Sequence, residues 1–259
     1  MLFDTHAHYT DEKFGNPTSL IDSLFRDDIC GILCVGTDEK TSRDSLSLAK
    51  KYNNMYTAAG IHPHECAAES EKHGGMQEAI DALLPLLSDE KTVALGEIGL
   101  DYYYDFSPRQ MQKEFFDAQI TLSEQLRLPI VIHDREAHGD VLDIVKAHPD
   151  SFGIIHSCSC SAEHVKEFLK RNYFISFSGS LTFKNASKLL EAAKVVPIDR
   201  ILVETDCPYL APVPMRGKIN HSGYMKYTAQ KAAELLGVEY DEFCRREVEN
   251  AHRIFNIKN

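Results

Sequence analysis

The sequence predicts a (β/α)8 TIM barrel with extra C-terminal helices. Eight short apolar runs recur along the 259 residues, roughly 20 to 40 positions apart. Amphipathic segments with apolar residues three and four apart fill the gaps, so strands and helices alternate and the strands run parallel. The apolar runs are near-continuous, as expected for a parallel sheet covered on both faces. A doubly wound open sheet is the rival, but no Gly-rich phosphate loop follows the first run.

The predicted strands are 2–6, 31–35, 56–61, 92–97, 129–133, 152–156, 173–177 and 200–205. Most are too short for helices and are bounded by Gly, Pro, Asp or Asn. The predicted helices between them are 18–27, 40–53, 76–88, 108–127, 136–148, 161–171 and 184–195. Ser107-Pro108 reads as a helix start, with Ser as cap and Pro in the first turn. Two further helices, at about 223–237 and 240–250, follow the last strand, and Gly237 is placed to stop the first. No linker, repeat or low-complexity tract interrupts the chain, so 1–259 reads as one domain.

The formal net charge is −11, with 43% apolar and 26% charged residues. That balance excludes a sequence-independent DNA coat, which needs a broad basic surface. It leaves room for an enzyme that grips phosphate locally through metal ions. No run approaches the roughly 18 apolar residues of a membrane span, and residues 1–9 carry Asp4, His6 and His8 where a signal peptide needs a basic start and an apolar core. The seven cysteines have no zinc-type pairing, and several sit in apolar runs. Reduced, mostly buried thiols in a cytoplasmic protein are expected.

In a barrel of this kind, chemistry gathers at the C-terminal ends of the strands. His6 and His8 end strand one, Glu97 ends strand four, His133 strand five and His156 strand six; Asp206 follows strand eight, and strand three runs into His62 and His64. His6 and His8 are two apart on a strand and point to the same side, where they can share one ion. Glu97 lies between two glycines after an apolar run, a place where a carboxylate must be paired or metal-bound. A lone His133 or His156 reads as a core histidine, but two successive strands ending alike point to ligands. Glu204 and Asp206 alternate to one side. Asp206 is nearer the mouth and is the expected ligand and proton acceptor, with Glu204 supporting from behind.

Six ordered pieces then resemble one family: Phe3-Asp4-Thr5-His6-Ala7-His8, Gly60-Ile61-His62-Pro63-His64, Gly96-Glu97-Ile98-Gly99-Leu100-Asp101-Tyr102, Ile132-His133-Asp134-Arg135, Ser176-Phe177-Ser178-Gly179, and Glu204-Thr205-Asp206-Cys207-Pro208-Tyr209-Leu210. The chain is similar to the TatD family of metal-dependent deoxyribonucleases, within the amidohydrolase superfamily. The resemblance implies two divalent ions (Mg, Zn, Mn or Ni), one held by His6, His8 and Asp206, the other by His133 and His156, with Glu97 bridging in place of the carbamylated lysine of many amidohydrolases. It implies hydrolysis of phosphodiester bonds in DNA, of the 3′-5′ exonuclease type on single strands or 3′ ends, with no membrane and no obligate protein partner. Asp206 and Glu97 are then catalytic. His62 is expected to meet the phosphate or the leaving group, and Arg135 to clamp a phosphate. Lys184, Arg216 and Lys218 are placed to track a strand, and Tyr102, Tyr103 and Tyr104 either stack bases or pack against the next helix. The chain departs from the family at Ser157-Cys158-Ser159-Cys160, at Met215 before Arg216-Gly217-Lys218, and at His221-Ser222; none of these removes an expected ligand. Two rivals remain. The same ligands suit a D-aminoacyl-tRNA deacylase or another ester or lactone hydrolase, and a barrel used only for binding or assembly stands behind both.

Overall fold

The structure, a computed structural model, describes residues 1–258. Its eight strands follow chain order in the sheet, every described pairing is parallel, and helices separate the strands: the (β/α)8 arrangement. Two compact units divide the chain.

The first unit takes residues 1–34 and 156–258. It holds β1 (Leu2–Ala7), α1 (Thr18–Leu24) and nearly all of β2 (Ile29–Val35). The second unit, Val35–Ile155, holds α2 (Glu39–Ala49), β3 (Met55–Ala59), α3 (Cys66–His73), α4 (Met76–Asp81), α5 (Leu84–Leu87), β4 (Thr92–Asp101), α6 (Arg109–Leu126), β5 (Ile130–Arg135), α7 (His138–Ala147) and β6 (Gly153–Ile155). The chain then returns to the first unit with α8 (Ala162–Leu169), β7 (Phe174–Phe177), α9 (Ser187–Lys194), β8 (Ile201–Val203), α10 (Met225–Leu236) and α11 (Tyr240–Ile254). The last two are the extra C-terminal helices. Gly237 ends α10 at φ 65°, the left-handed turn that glycine adopts without cost.

In the first unit β1 pairs with β2, setting Leu2 against Ile29 and Ala7 against Cys34, while β7 pairs with β8. Ile32, Leu33, Ile175, Phe177 and Leu202 are fully buried. In the second unit β3, β4, β5 and β6 pair in that order. Phe115, Phe116 and Ile120 of α6 supply its largest buried helix face.

Three local departures from the sequence expectations have physical reasons. β4 runs on past Glu97 to Asp101, because Leu100 and Asp101 continue the ladder against Asp134 and Arg135 of β5. Gly99 permits this: its φ is 139°, and a Cβ there would lie 2.0 Å from the carbonyl oxygen of His133. α3 is a helix the apolar pattern does not show, since its buried residues are Cys66 and the charged Glu69. Ser107 is buried and does not cap α6; its hydroxyl donates to the His64 carbonyl and accepts the Ala67 N–H, and Pro108 stands at the cap.

Glu247 of α11 is fully buried, and its Oε2 accepts the backbone N–H of Phe3 at 3.0 Å. Burial pushes its carboxyl well above the usual range. A carboxyl raised in the folded state stabilises below its unfolded value and loses that contribution as pH rises through the folded value. Glu247→Gln is therefore expected to flatten the decline of stability as pH rises above the unfolded carboxyl value. Glu247→Ala is expected to cost about 2 kcal/mol by leaving the Phe3 N–H unpaired. Urea unfolding of both variants from pH 5 to 9 checks this, and parallel pH profiles for wild type and Glu247→Gln would contradict it.

Candidate metal centre

In the first unit, the end of β1 and the segment after β8 are tied by backbone. Ala7 bridges Cys207, the His8 N–H donates to the Cys207 carbonyl at 2.8 Å, and the Asp206 N–H donates to the His6 carbonyl at 2.9 Å. Buried Asp4 supports the same junction. It accepts from the Thr205 N–H at 3.0 Å, the Thr205 hydroxyl at 2.6 Å and the Ser222 hydroxyl at 2.7 Å. Burial raises the Asp4 carboxyl to about 6 against the pull of those bonds.

β8 ends at Val203, so strand alternation does not aim the residues that follow. Asp206 instead takes φ 54°, a left-handed conformation that costs a non-glycine residue of order 1 kcal/mol or more. Its Oδ1 then lies 3.5 Å from His8 Nε2 and 3.9 Å from His6 Nε2, and those two nitrogens are 3.0 Å apart. Burial pushes the Asp206 carboxyl up, but contact with His8 and the nearby His156 and His6 pull harder, and it is held below the usual range.

His156 stacks on His6 with centroids 3.8 Å apart. Its Nδ1 meets Glu204 Oε1 at 2.7 Å, and the same oxygen accepts the Ser157 N–H at 2.9 Å. Glu204 accepts the hydrogen bond from Nδ1–H, which leaves Nε2 as the lone-pair nitrogen. His6, His156 and Asp206 offer ligand atoms all within 4.8 Å of one another.

In the second unit, Glu97 is buried, and its Oε1 lies 2.8 Å from His133 Nδ1 and 3.6 Å from His62 Nε2. Asp101, fully buried, uses both oxygens. Oδ2 meets His133 Nε2 at 3.1 Å and His64 Nε2 at 2.8 Å; Oδ1 accepts the N–H groups of Tyr103 and Tyr104 at 3.0 and 2.8 Å. Burial would raise this carboxyl, but the bonds from His133, Tyr104 and His64 outweigh it and hold it far below the usual range. With Nε2–H donated to Asp101, the Nδ1 lone pair of His133 faces a carboxylate oxygen. Two acceptors 2.8 Å apart call for a cation or a proton on them.

His62 is arranged differently. The His64 N–H donates to its Nδ1 at 3.1 Å, so neutral His62 carries its proton on Nε2. Burial pushes its basicity well below the usual imidazole value, against the pull of Glu97, and keeps the ring a neutral N–H donor. Two buried glutamines of α6 fix the loops around it. Gln119 brackets the backbone of Ile61, accepting its N–H at 2.8 Å and donating to its carbonyl at 3.1 Å, and Gln112 does the same for Asp101.

The donor sets fit divalent ions. Ligand atoms about 2.1 Å from one ion and at right angles to it are about 3.0 Å apart, the separation of the His6 and His8 nitrogens. Imidazole with carboxylate suits Zn, Mn, Ni or Mg. Of the expected substrate contacts, Arg135 lies with its guanidinium 4.2 and 4.7 Å from the ring centres of Tyr103 and Tyr104. Arg216 lies 4.1 Å over Phe183 and donates to the Ala211 carbonyl at 2.9 Å. Asp101, Gln112 and Gln119 were not among the residues the sequence singled out for the site; the signal for Asp101 was a carboxylate closing the Gly99-Leu100 run. None of the seven cysteines is in a disulfide, and six of them are buried. Among the described residues no helix is long and apolar enough to cross a membrane.

Fold and donor sets together define a metal-dependent hydrolase on a (β/α)8 scaffold. The family model for TatD-related DNases matches residues 3–256. The chain belongs to the TatD-related DNase family. It is 40% identical over 260 residues to the "Uncharacterized metal-dependent hydrolase YabD" of Bacillus subtilis, covering 99% of this chain and 100% of that one. It is 30% identical to the "3′-5′ ssDNA/RNA exonuclease TatD" of Erwinia tasmaniensis, again over 99% and 100%. Among solved structures, the TatD homolog YJJV of Escherichia coli superposes with a TM-score of 0.90 at 26% identity, covering 99% of this chain and 98% of the other.

Proposed function

We propose that the chain is a two-metal deoxyribonuclease that removes nucleotides from the 3′ end of single-stranded DNA. The observation that carries this is the convergence of His6 Nε2, His8 Nε2 and Asp206 Oδ1 on one point, at separations a single ion satisfies. His6, His8 and Asp206 would hold one ion, with His156 stacked on His6 beside them, and Glu97 and His133 would hold the other. The single family match over 3–256 supports taking 1–259 as one domain, and the cysteines, none of them in a disulfide, suit a reducing, cytoplasmic compartment.

When bound, divalent ions acidify water and neutralise phosphate charge. The remaining work falls to the chain. Asp206 accepts the proton of the attacking water. Glu204 holds His156 with Nδ1 protonated, and Asp101 holds His133 in the same way through Nε2. His62 directs Nε2–H at a phosphate oxygen, a role for which a neutral, desolvated imidazole is suited. Arg135 and Arg216 supply positive charge for the departing strand. An acidic protein thus presents a locally positive mouth to DNA, without the basic surface that coating a duplex requires.

Side-by-side assays on a 3′-labelled single strand and on D-aminoacyl-tRNA, with Mg, Mn, Zn or Ni and with chelator, test this reading. Divalent-dependent loss of the 3′ label with the ester left intact is the expected result. Turnover of the ester alone would replace the nuclease reading by the deacylase one.

A further inference from the structure

The loop that follows β4 carries three aromatic side chains in four positions, all exposed: Tyr103 at 55%, Tyr104 at 46% and Phe106 at 66%. Apolar rings are costly to leave in water, and a patch of them marks a binding surface. Tyr102, next in line, behaves otherwise. Its hydroxyl donates to Asp140 at 2.6 Å and Arg109 of α6 covers its ring, so it packs against the helix, and the other three do not follow it. Tyr104 and Phe106 lie nearly parallel, centroids 5.3 Å apart and planes 29° apart, and Tyr103 stands edge-on to Tyr104. Arg135 lies on the faces of Tyr103 and Tyr104, and among the described residues no carboxylate pairs with it. The patch therefore combines exposed aromatic rings with one guanidinium that lies on them and pairs with no described carboxylate.

Asp101 sets this patch in register with the candidate metal centre. One of its oxygens holds the backbone of Tyr103 and Tyr104, and the other holds His133 and His64. His64 in turn packs edge-on against Tyr104 and Phe106 at 5.5 and 4.8 Å. A single buried carboxylate thus positions both the reacting end of the unit and the aromatic loop beside it.

We propose that Tyr103, Tyr104 and Phe106 form a stacking platform for unpaired nucleobases, with Arg135 gripping the phosphate between them. This rests on the nuclease reading and deepens it: it names the residues that hold the bases of the single strand, which a duplex keeps stacked and paired. Aromatic stacking accepts every base, because each has a π face, and guanidinium with phosphate supplies the charge match. The surface has no such match for a small lactone, and an apolar protein partner would leave the arginine charge without a counterpart.

The test measures binding in chelator, so that nothing is cut, using fluorescently labelled (dT)10 and an abasic strand of the same length. Wild type is expected to bind (dT)10 at least about tenfold more tightly. The triple variant Tyr103→Ala/Tyr104→Ala/Phe106→Ala is expected to lose about 10- to 100-fold in affinity for (dT)10 and to keep its affinity for the abasic strand, which also reports that it is folded. The variant Tyr103→Leu/Tyr104→Leu/Phe106→Leu keeps apolar bulk without π faces, and the same loss is expected. Equal binding of both strands by wild type, or (dT)10 affinity retained in the leucine variant, overturns the platform. Its failure is distinguishable from that of the nuclease reading. Strand cleavage without base-dependent binding sinks only the platform, whereas base-dependent binding without cleavage in any divalent ion sinks only the nuclease.

Discussion

Glu97→Ala and Asp206→Asn are each expected to lower divalent-dependent release of nucleotides from single-stranded DNA by about a thousandfold. Asp206→Asn keeps the size of the side chain and the φ of 54°, but the amide neither takes a proton nor brings negative charge to the nitrogens of His6 and His8. Glu97→Ala removes the oxygen that lies 2.8 Å from His133 Nδ1 and 3.6 Å from His62 Nε2, so two imidazoles lose the carboxylate between them. Both effects belong on kcat, because neither residue is placed to hold the bases of a strand. Unchanged turnover in the two variants would end the assignment.

The second large effect is on stability. A ligand that binds only the folded chain stabilises it by about 4 kcal/mol at a thousand times its dissociation constant. For a chain of this size that amounts to a rise of roughly 10 °C in Tm. Addition of Mn, Zn or Ni to chelator-treated protein is expected to produce such a rise, with elemental analysis returning two ions per chain. His6→Ala/His8→Ala is expected to retain one ion and a smaller rise, since the Glu97–His133 pair of the second unit is untouched. A Tm indifferent to every divalent ion tried, or a double variant still holding two ions, would refute the separation into two binding groups.

Much of this was legible in the chain itself. Runs such as Ile130-Val131-Ile132 and Gly153-Ile154-Ile155 are apolar throughout because both faces of a parallel strand are covered. Charged or imidazole residues stand out immediately after them. His133 and His156 are conspicuous because they close apolar runs, and His6 and His8 because a two-residue spacing puts them on one side. The missed helix α3 shows the limit. Its inward residues are Cys66 and Glu69, so a pattern built on apolar spacing has nothing to register. Asp206 shows another, since alternation predicts its direction only while the chain is extended, and β8 stops at Val203.

From the residues alone came the order of strands and helices, the row of ligand types at the strand ends and the acidic balance that excludes a basic nucleic-acid coat. Those follow from periodicity and composition, which are local properties. Tertiary structure decided the rest: that Glu204 orients His156 from 48 residues away, that His62 carries its proton on Nε2, and that Asp101 holds two histidines with one oxygen and an aromatic loop with the other. A hydrogen bond selects its partner by distance and direction in space, and neither is written in the spacing of residues along the chain.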